Sequence, residues 1–488
     1  MGVQQKRTRV CTHCLFTGVH CLPKLTHDTA LAWTDCTARR NGKMGVVTTA
    51  VAQLADMLPQ SETVQREWEA VVGEAGVVVD TVMGSRLLFW TVVLTAVYLV
   101  YRLLFVPARY RRRMHDVGYL MEPDQSRVER ANEVRRRRLT GDLPPVYPNG
   151  WFQLCFSRDL KPGSAKQVHI LGKEFAVFRT ESGKVGCLDA YCTHLGANLA
   201  AGGMVVGETL HCPFHGWKFN CEGKCTDIPY SKSKIPEQAH TTSYHVHEVN
   251  GHVLLWFDAE DRDPTWYPPE LKKINNGWWW SGFTRHYLNC HIQEVPENGA
   301  DVAHLHYLHG PGLLSGTDLR DTHSSRFEFV KHNWYASWAP VEEPGKKHLS
   351  VLNLVHRLSI FGHELPVMDI KLTATQVGPG LVYLEWSSFF GTGVFVQTLT
   401  PVEPLYQELT HTIYSSFTVP QIVSKFYLIG EAKQVERDVM VWNNKMYRKN
   451  PVLVKEDKLI AQHRRWYSQF YSENSPTLSF KKDDDLSW

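Results

Sequence analysis

The chain has 488 residues and carries 53 basic against 50 acidic side chains, a formal net charge of +3. That length allows two or three folded units with real cores, and the balanced charge argues against a dedicated nucleic-acid binder. The eleven cysteines form no framework typical of a small secreted domain, so a reducing compartment is the simpler reading.

Residues 1–85 are expected to be a leader of unknown role. Cys11, Cys14, Cys21 and Cys36 crowd its start together with His13 and His20, yet no second partnered pair sits at a standard zinc spacing. The first thirty residues also lack the apolar core of a signal peptide. A single transmembrane helix is expected over residues 86–107. Its stretch 87–106, LLFWTVVLTAVYLVYRLLFV, has one charge, Arg102, and at a rise of about 1.5 Å per residue it spans one hydrocarbon core. Trp90, Tyr98 and Tyr101 suit the interface, and Arg102 can snorkel to it. Arg109, Arg111, Arg112 and Arg113 follow directly, whereas the upstream flank sets Glu74 and Asp80 against Arg86. The positive-inside rule places everything after Pro107 in the cytosol. Residues 108–147 read as a basic, proline-rich connector.

A β-rich domain is expected over residues 148–260, with strands at 151–156, 167–171, 175–179, 185–188 and 252–257. Inside it lies CTHLGANLAAGGMVVGETLHCPFHGW, in which Cys192-x-His194 is followed after seventeen residues by Cys212-x-x-His215. A zinc finger takes two cysteines from one arm and two histidines from the other. Here each loop gives one of each, so stacking the loops puts both thiolates on one iron and both imidazoles on the other. That is the ligation of a Rieske 2Fe-2S centre. Gly196, Gly202, Gly203 and Gly216 free the backbone for tight loops. Cys221 and Cys225 follow closely and read as core or turn residues.

The remainder, 261–488, is longer than electron transfer requires. Alternating segments at 349–354, 371–375, 381–386 and 393–399, then a helical stretch over 421–447, predict an α+β domain of antiparallel sheet plus helix. It contains a second motif, D-x-x-H-x-x-x-x-H, at Asp301, His304 and His309. Two histidines plus a carboxylate with open positions make the facial triad of non-haem iron(II) oxygenases. An i, i+5 pair on an ideal helix points about 140° apart, so the helix must end or deform before His309. His306 is sent to another face. The carboxylate must come from elsewhere, with Glu436 and Asp438 as candidates, and Asp301 is better used behind His304.

Together the motifs resemble the Rieske non-haem iron oxygenases over about residues 148–450. The resemblance implies that the cluster, held by Cys192, His194, Cys212 and His215, passes electrons across a bridging Asp301 to the mononuclear iron of a neighbouring subunit in a homotrimer. It also implies Asp438 as third iron ligand, because the family's ligand lies in an Asp followed three or four residues later by Trp, as Asp438 and Trp442 are. The membrane span, NGWF at 149–152, CTHLGANLAAGG and CPFHGWKF are most similar to the Neverland-type cholesterol 7-desaturases of animals, and next to bacterial 3-ketosteroid 9α-hydroxylases. That likeness implies a single-pass protein of the endoplasmic reticulum membrane that converts cholesterol to 7-dehydrocholesterol in steroid hormone biosynthesis, using O2 and NAD(P)H-derived electrons. A separate reductase is expected, since no Gly-x-Gly-x-x-Gly follows a strand. The alternatives are hydroxylation of another sterol or lipophilic substrate, and a Rieske electron carrier. High-potential carriers resemble one another in an extra cysteine in each loop, where this chain has Ala197 and Phe214.

Overall fold

The computed structural model describes residues 62–137 and 141–478, with side chains from Gly84 onward. The leader cysteines and histidines therefore lie outside the described residues. One helix, Glu62–Phe105, contains the apolar stretch and begins well upstream of it. Within it Gly84–Phe105 has a mean hydropathy of 1.9 and buries none of its residues in the protein, which is the length and composition of a membrane span.

The connector is more structured than its composition suggests. Residues Ala108–Arg112 form a strand, β1, and Arg127–Arg137 form a helix. The expected strands of the next domain are all present as β2 (Gly150–Phe156), β3 (Ser164–Ile170), β4 (Lys173–Arg179), β5 (Val185–Asp189) and, as its closing strand, β11 (His252–Phe257). Between them lie four short strands, β6 (Met204–Val206), β7 (Thr209–His211), β8 (Lys218–Phe219) and β9 (Cys225–Asp227), which form a sheet in sequence order. Strand β10 (Val246–Val249) pairs with β11, and β11 with β2.

The C-terminal domain adds β12 (Trp279–Leu288), β13 (Val330–Pro340), β14 (Leu349–Ile360), β15 (His363–Glu364), β16 (Ile370–Val377), β17 (Leu381–Ser388), β18 (Gly391–Glu403) and β19 (Tyr406–Ser415). With β1 they make a nine-stranded sheet in the order β1-β12-β19-β18-β17-β16-β14-β13, with β15 on β14. Only β1 on β12 is parallel.

Register decides what faces the site, because side chains alternate along a strand. Leu354 lies opposite Leu372 and Leu372 opposite Trp386, while Leu352, Ala374, Leu384 and Phe395 form the next row. Gln376, Val382, Gln397 and His411 form a third row. Their neighbours of opposite parity, Asn353, Thr373 and Glu385, line a separate open cleft of about 650 Å³. The helix Gln421–Trp442 covers the sheet and buries Leu428, Ala432, Val435, Val439 and Trp442, an alternating three- and four-residue stripe that keeps one face inward. Its C-terminal half shares a core with Phe152, Leu154, Val253 and Leu255 of the β-rich domain and with Leu399 and Leu409 of the large sheet. Each such fully buried side chain contributes about 1.5–3 kcal/mol.

Candidate metal centres

The Cys192/His194 loop follows β5, and the Cys212/His215 loop joins β7 to β8. The two are built alike. Cys192 N donates to Ala197 O at 2.9 Å and Gly196 N to Cys192 O at 2.9 Å; Cys212 N donates to Trp217 O at 2.8 Å and Gly216 N to Cys212 O at 3.0 Å. Both folds close through a glycine in the left-handed region, Gly196 at φ 72° and Gly216 at φ 74°, where a β-carbon is costly.

This stacks the two pairs with sulfur inside and imidazole outside. Cys192 and Cys212 are buried, whereas both histidines keep part of their surface. The rings of His194 and His215 lie 4.8 Å apart. His194 stacks on Trp217 at 4.8 Å and 5°, and the indole in turn donates to Tyr230 Oη at 3.0 Å. The donor set fits a cluster on two counts. His194 Nδ1 is buried with no hydrogen-bond partner, which leaves it available to a ligand. Burial, with the Cys212 thiol beside it, pushes Cys192 up to about 11, so its thiolate needs metal charge to persist at neutral pH. Cys225 packs in the core behind the loops and Cys221 against its edge, as expected of residues that take no part in ligation.

The second motif folds as anticipated. The helix Val302–Tyr307 starts at Asp301, whose side chain accepts from His304 N at 3.2 Å, and it stops before His309, which lies in the bend that follows. His306 points outward. Ligand atoms of His304, His309 and Asp438 lie within 4.8 Å of one another. The choice between the two carboxylates is geometric: Glu436 points away, accepting from Tyr110 Oη and Arg112 Nε (2.8 Å) of β1 and from Lys433 Nζ (2.9 Å).

Both imidazoles are held by their second nitrogen. His304 Nδ1 bonds to the backbone carbonyl of Asp301 rather than to its carboxylate, and His309 Nδ1 to Gln434 Oε1 at 2.8 Å. Such bonds leave each Nε2 for a metal. Asn298 Nδ2 donates to Asp438 Oδ1 at 3.0 Å. Burial pushes His304 below its ordinary range against the pull of Asp438. For His309 burial acts the same way but is outweighed by Asp438, whose Oδ1 lies 3.2 Å from Nε2, so its pKa is raised.

Sequence reasoning missed Glu431, Gln434, Arg437 and Asn298. The first two sit seven and four residues before Asp438 on the same helix, so the 3.6-residue period puts them on its face and could have found them. Glu431, Gln434 and Asn298 line a cavity of about 210 Å³ with His304, His309, Asp438, Leu352, Leu384 and His411. Trp334, Leu354, Leu372, Glu431 and Gln434 are also walls of a second, largely apolar cavity of about 250 Å³.

A large sheet covered by one long helix, joined to a small β domain with two like-built Cys/His loops, and a two-histidine-one-carboxylate cluster opening on an apolar cavity define an oxidoreductase of the Rieske oxygenase class. Residues 150–245 match the Rieske [2Fe-2S] domain family and residues 255–471 the 3-ketosteroid 9alpha-hydroxylase C-terminal domain family. The chain is similar to a Xenopus laevis protein named cholesterol 7-desaturase nvd, 48% identical over 404 residues covering 82% of this chain and 88% of the relative. It is equally similar to cholesterol 7-desaturase nvd 1 of Ciona intestinalis, 48% identical over 395 residues, 80% of this chain and 83% of the relative. The crystal structure of dicamba monooxygenase bound to dicamba shares the fold, with a TM-score of 0.51 at 16% identity over 67% of this chain and 98% of that one. The chain belongs to the cholesterol 7-desaturase family of Rieske oxygenases.

Proposed function

We propose that the protein is a membrane-anchored sterol 7-desaturase that converts cholesterol to 7-dehydrocholesterol. The observation that carries the reading is the His304/His309/Asp438 cluster opening on one apolar cavity that shares walls with a second, a shape suited to a long rigid lipid with one carbon at a metal. Cys192, His194, Cys212 and His215 hold the 2Fe-2S cluster, and His304, His309 and Asp438 hold the mononuclear iron. When bound, the cluster delivers single electrons and the iron activates O2 for removal of hydrogen from an unactivated C–H bond. The electrons come from NAD(P)H through a separate reductase.

The chain's own part is placement and proton control. Asp301 O and Gln434 Oε1 fix the two imidazoles, and Asn298 fixes the carboxylate. Leu352, Leu354, Leu372 and Leu384 exclude water around the substrate. Glu431 Oε1 lies 3.6 Å from His411 Nε2. Burial pushes its carboxyl up to about 7, against the pull of His309 and with the push of Asp438. A third of its side chain is exposed, and it is one of the walls of the cavity. It can hold a proton beside the substrate at neutral pH.

Linkage fixes the sign of a test. A carboxyl raised on folding lowers stability as pH climbs from its unfolded value, about 4.3, to about 7. Glu431→Gln is therefore expected to gain on the parent in thermal unfolding across that window, and to lose the limb near pH 7 in its turnover profile. An unchanged pH profile would remove Glu431 from the proton path.

Exposed Leu195, Phe214 and Tyr230 surround the histidine end of the cluster site. They support a homotrimer in which a neighbouring subunit covers that patch and Asp301 bridges the two centres. The apolar helix and the arginines after it support a single-pass anchor in the endoplasmic reticulum membrane with the catalytic domain in the cytosol. The match of residues 255–471 to a ketosteroid hydroxylase domain favours hydroxylation of a sterol as the second reading. Expression in sterol-fed cells followed by mass spectrometry separates them: loss of two hydrogens, one each from C7 and C8, supports desaturation, and gain of one oxygen supports hydroxylation.

A further inference from the structure

Six large apolar side chains around the mouth of the second cavity are exposed, each between 41% and 78%: Val367, Met368, Phe389, Phe417, Ile422 and Phe426. They come from four separate segments, the turn after β15, the β17–β18 turn, the loop after β19 and the first turns of the helix Gln421–Trp442. The segments are joined beneath. Ser416 N donates to Thr392 O at 2.9 Å, and a side chain at Gly391 would meet Thr418 and Val419. Phe390, Val419, Val423 and Tyr427 pack in one cluster with Ala108. Met368 and Phe426 are themselves walls of the cavity, beside Ile370, Phe395 and Tyr427.

A patch of this size is uncommon on a surface that meets only water, and its position says what covers it. Lys425, between Ile422 and Phe426, sends its ammonium to the backbone carbonyls of Arg102 and Leu103. These are among the last residues of the apolar helix. The helical turn carrying the rim is therefore held at the place where that helix leaves hydrocarbon. Arg102, Arg109 and Arg111 are exposed around the same junction and complement lipid phosphates.

We propose that the cavity rim is immersed in the bilayer surface, so that an apolar substrate passes from the membrane into the cavity without crossing water. The proposal rests on the reading of the helix as a membrane anchor and of the substrate as a sterol. The rim supplies an apolar threshold at acyl depth, and the arginines fix that depth at the headgroups.

The test uses the full chain, loaded with iron and cluster, reconstituted in phosphatidylcholine vesicles and supplied with O2 and with a reductase that first reduces the cluster from NAD(P)H. Phe389→Asp/Phe417→Asp is expected to raise the bilayer mole fraction of sterol needed for half-maximal turnover by roughly tenfold or more, with the protein still in the membrane pellet. Turnover of sterol delivered in detergent micelles should stay within about twofold of the parent. Independently, Phe389→Trp and Phe417→Trp should each add fluorescence that bilayer-brominated phosphatidylcholine quenches beyond the parent's background. Equal losses with both forms of sterol, or added tryptophans that brominated lipid does not quench, overturn the proposal. So does a fall in oligomeric mass in the Asp variant, which would mean that a second copy covers the rim. If the parent turns over no sterol at all, the substrate reading fails and quenching alone decides where the rim lies.

Discussion

Asp438→Ala is expected to strip the mononuclear iron and spare the cluster. Iron should fall from about three per chain to about two, with the visible absorption and reduced-state paramagnetic signal of the 2Fe-2S centre unchanged. Product formation should fall by more than the roughly 10–100-fold that loss of an outer hydrogen-bond partner costs. Asn298→Ala, which removes only the donor to Asp438 Oδ1, should fall inside that range. Glu436→Ala is the control, since its carboxylate is committed to Tyr110, Arg112 and Lys433 and it should keep its third iron. Retained iron in Asp438→Ala would sink the ligand assignment. Loss of cluster absorption in the same variant would mean that the substitution had damaged the fold rather than the site.

The two like-built loops were legible because the demands of a metal site are local: four candidate ligands in two tight turns, with glycines where the chain must turn left-handed. The His304/His309 pair was legible for the same reason, including the end of the helix between them. The third ligand was not fixed by spacing, because Glu436 and Asp438 are two apart on a helix and only packing decides which points at the histidines. Strands β14 and β16 to β18 showed as alternating segments. Strands β12, β13 and β19 did not: β13, with His332, Asn333 and Ser337 among Trp334, Tyr335 and Trp338, has no clean apolar–polar alternation. Strand β1 was hidden further, since Arg109, Arg111, Arg112 and Arg113 read as a basic flank. Its place comes from Tyr110 and Arg112 meeting the buried Glu436, a contact between residues 324 and 326 positions apart in the chain.

Arg437 is the clearest case of a residue that composition and motif give no reason to notice. It lies between Glu436 and Asp438, is fully buried, and sends its guanidinium the other way. Nη1 donates to Pro311 O at 2.7 Å and Leu308 O at 3.3 Å, Nη2 to Gly312 O at 2.9 Å, and Nε and Nη2 to Gly316 O at 3.0 and 2.9 Å. Those carbonyls belong to the segment that carries His309, and Nη1 also reaches Gln434 Oε1 at 3.3 Å. That bond sets the amide so that its oxygen faces His309 Nδ1. Burial pushes the guanidinium down to about 10 while Asp438 pulls it back, so it stays charged at neutral pH. One side chain thus ties both ends of the triad. Arg437→Met keeps much of the volume but removes the donor from the buried Pro311 carbonyl and one of the two from Gly312 O, together with the bonds to Leu308 O and Gly316 O, and is expected to destabilise the fold by on the order of 3 kcal/mol. The surviving folded fraction should hold two irons rather than three, with an intact cluster spectrum. Arg437→Lys restores charge but not the planar fork, so it should recover part of the stability and little of the iron. Recovery of full iron binding by lysine would show that charge alone is needed at this position, and that the fork does not position His309.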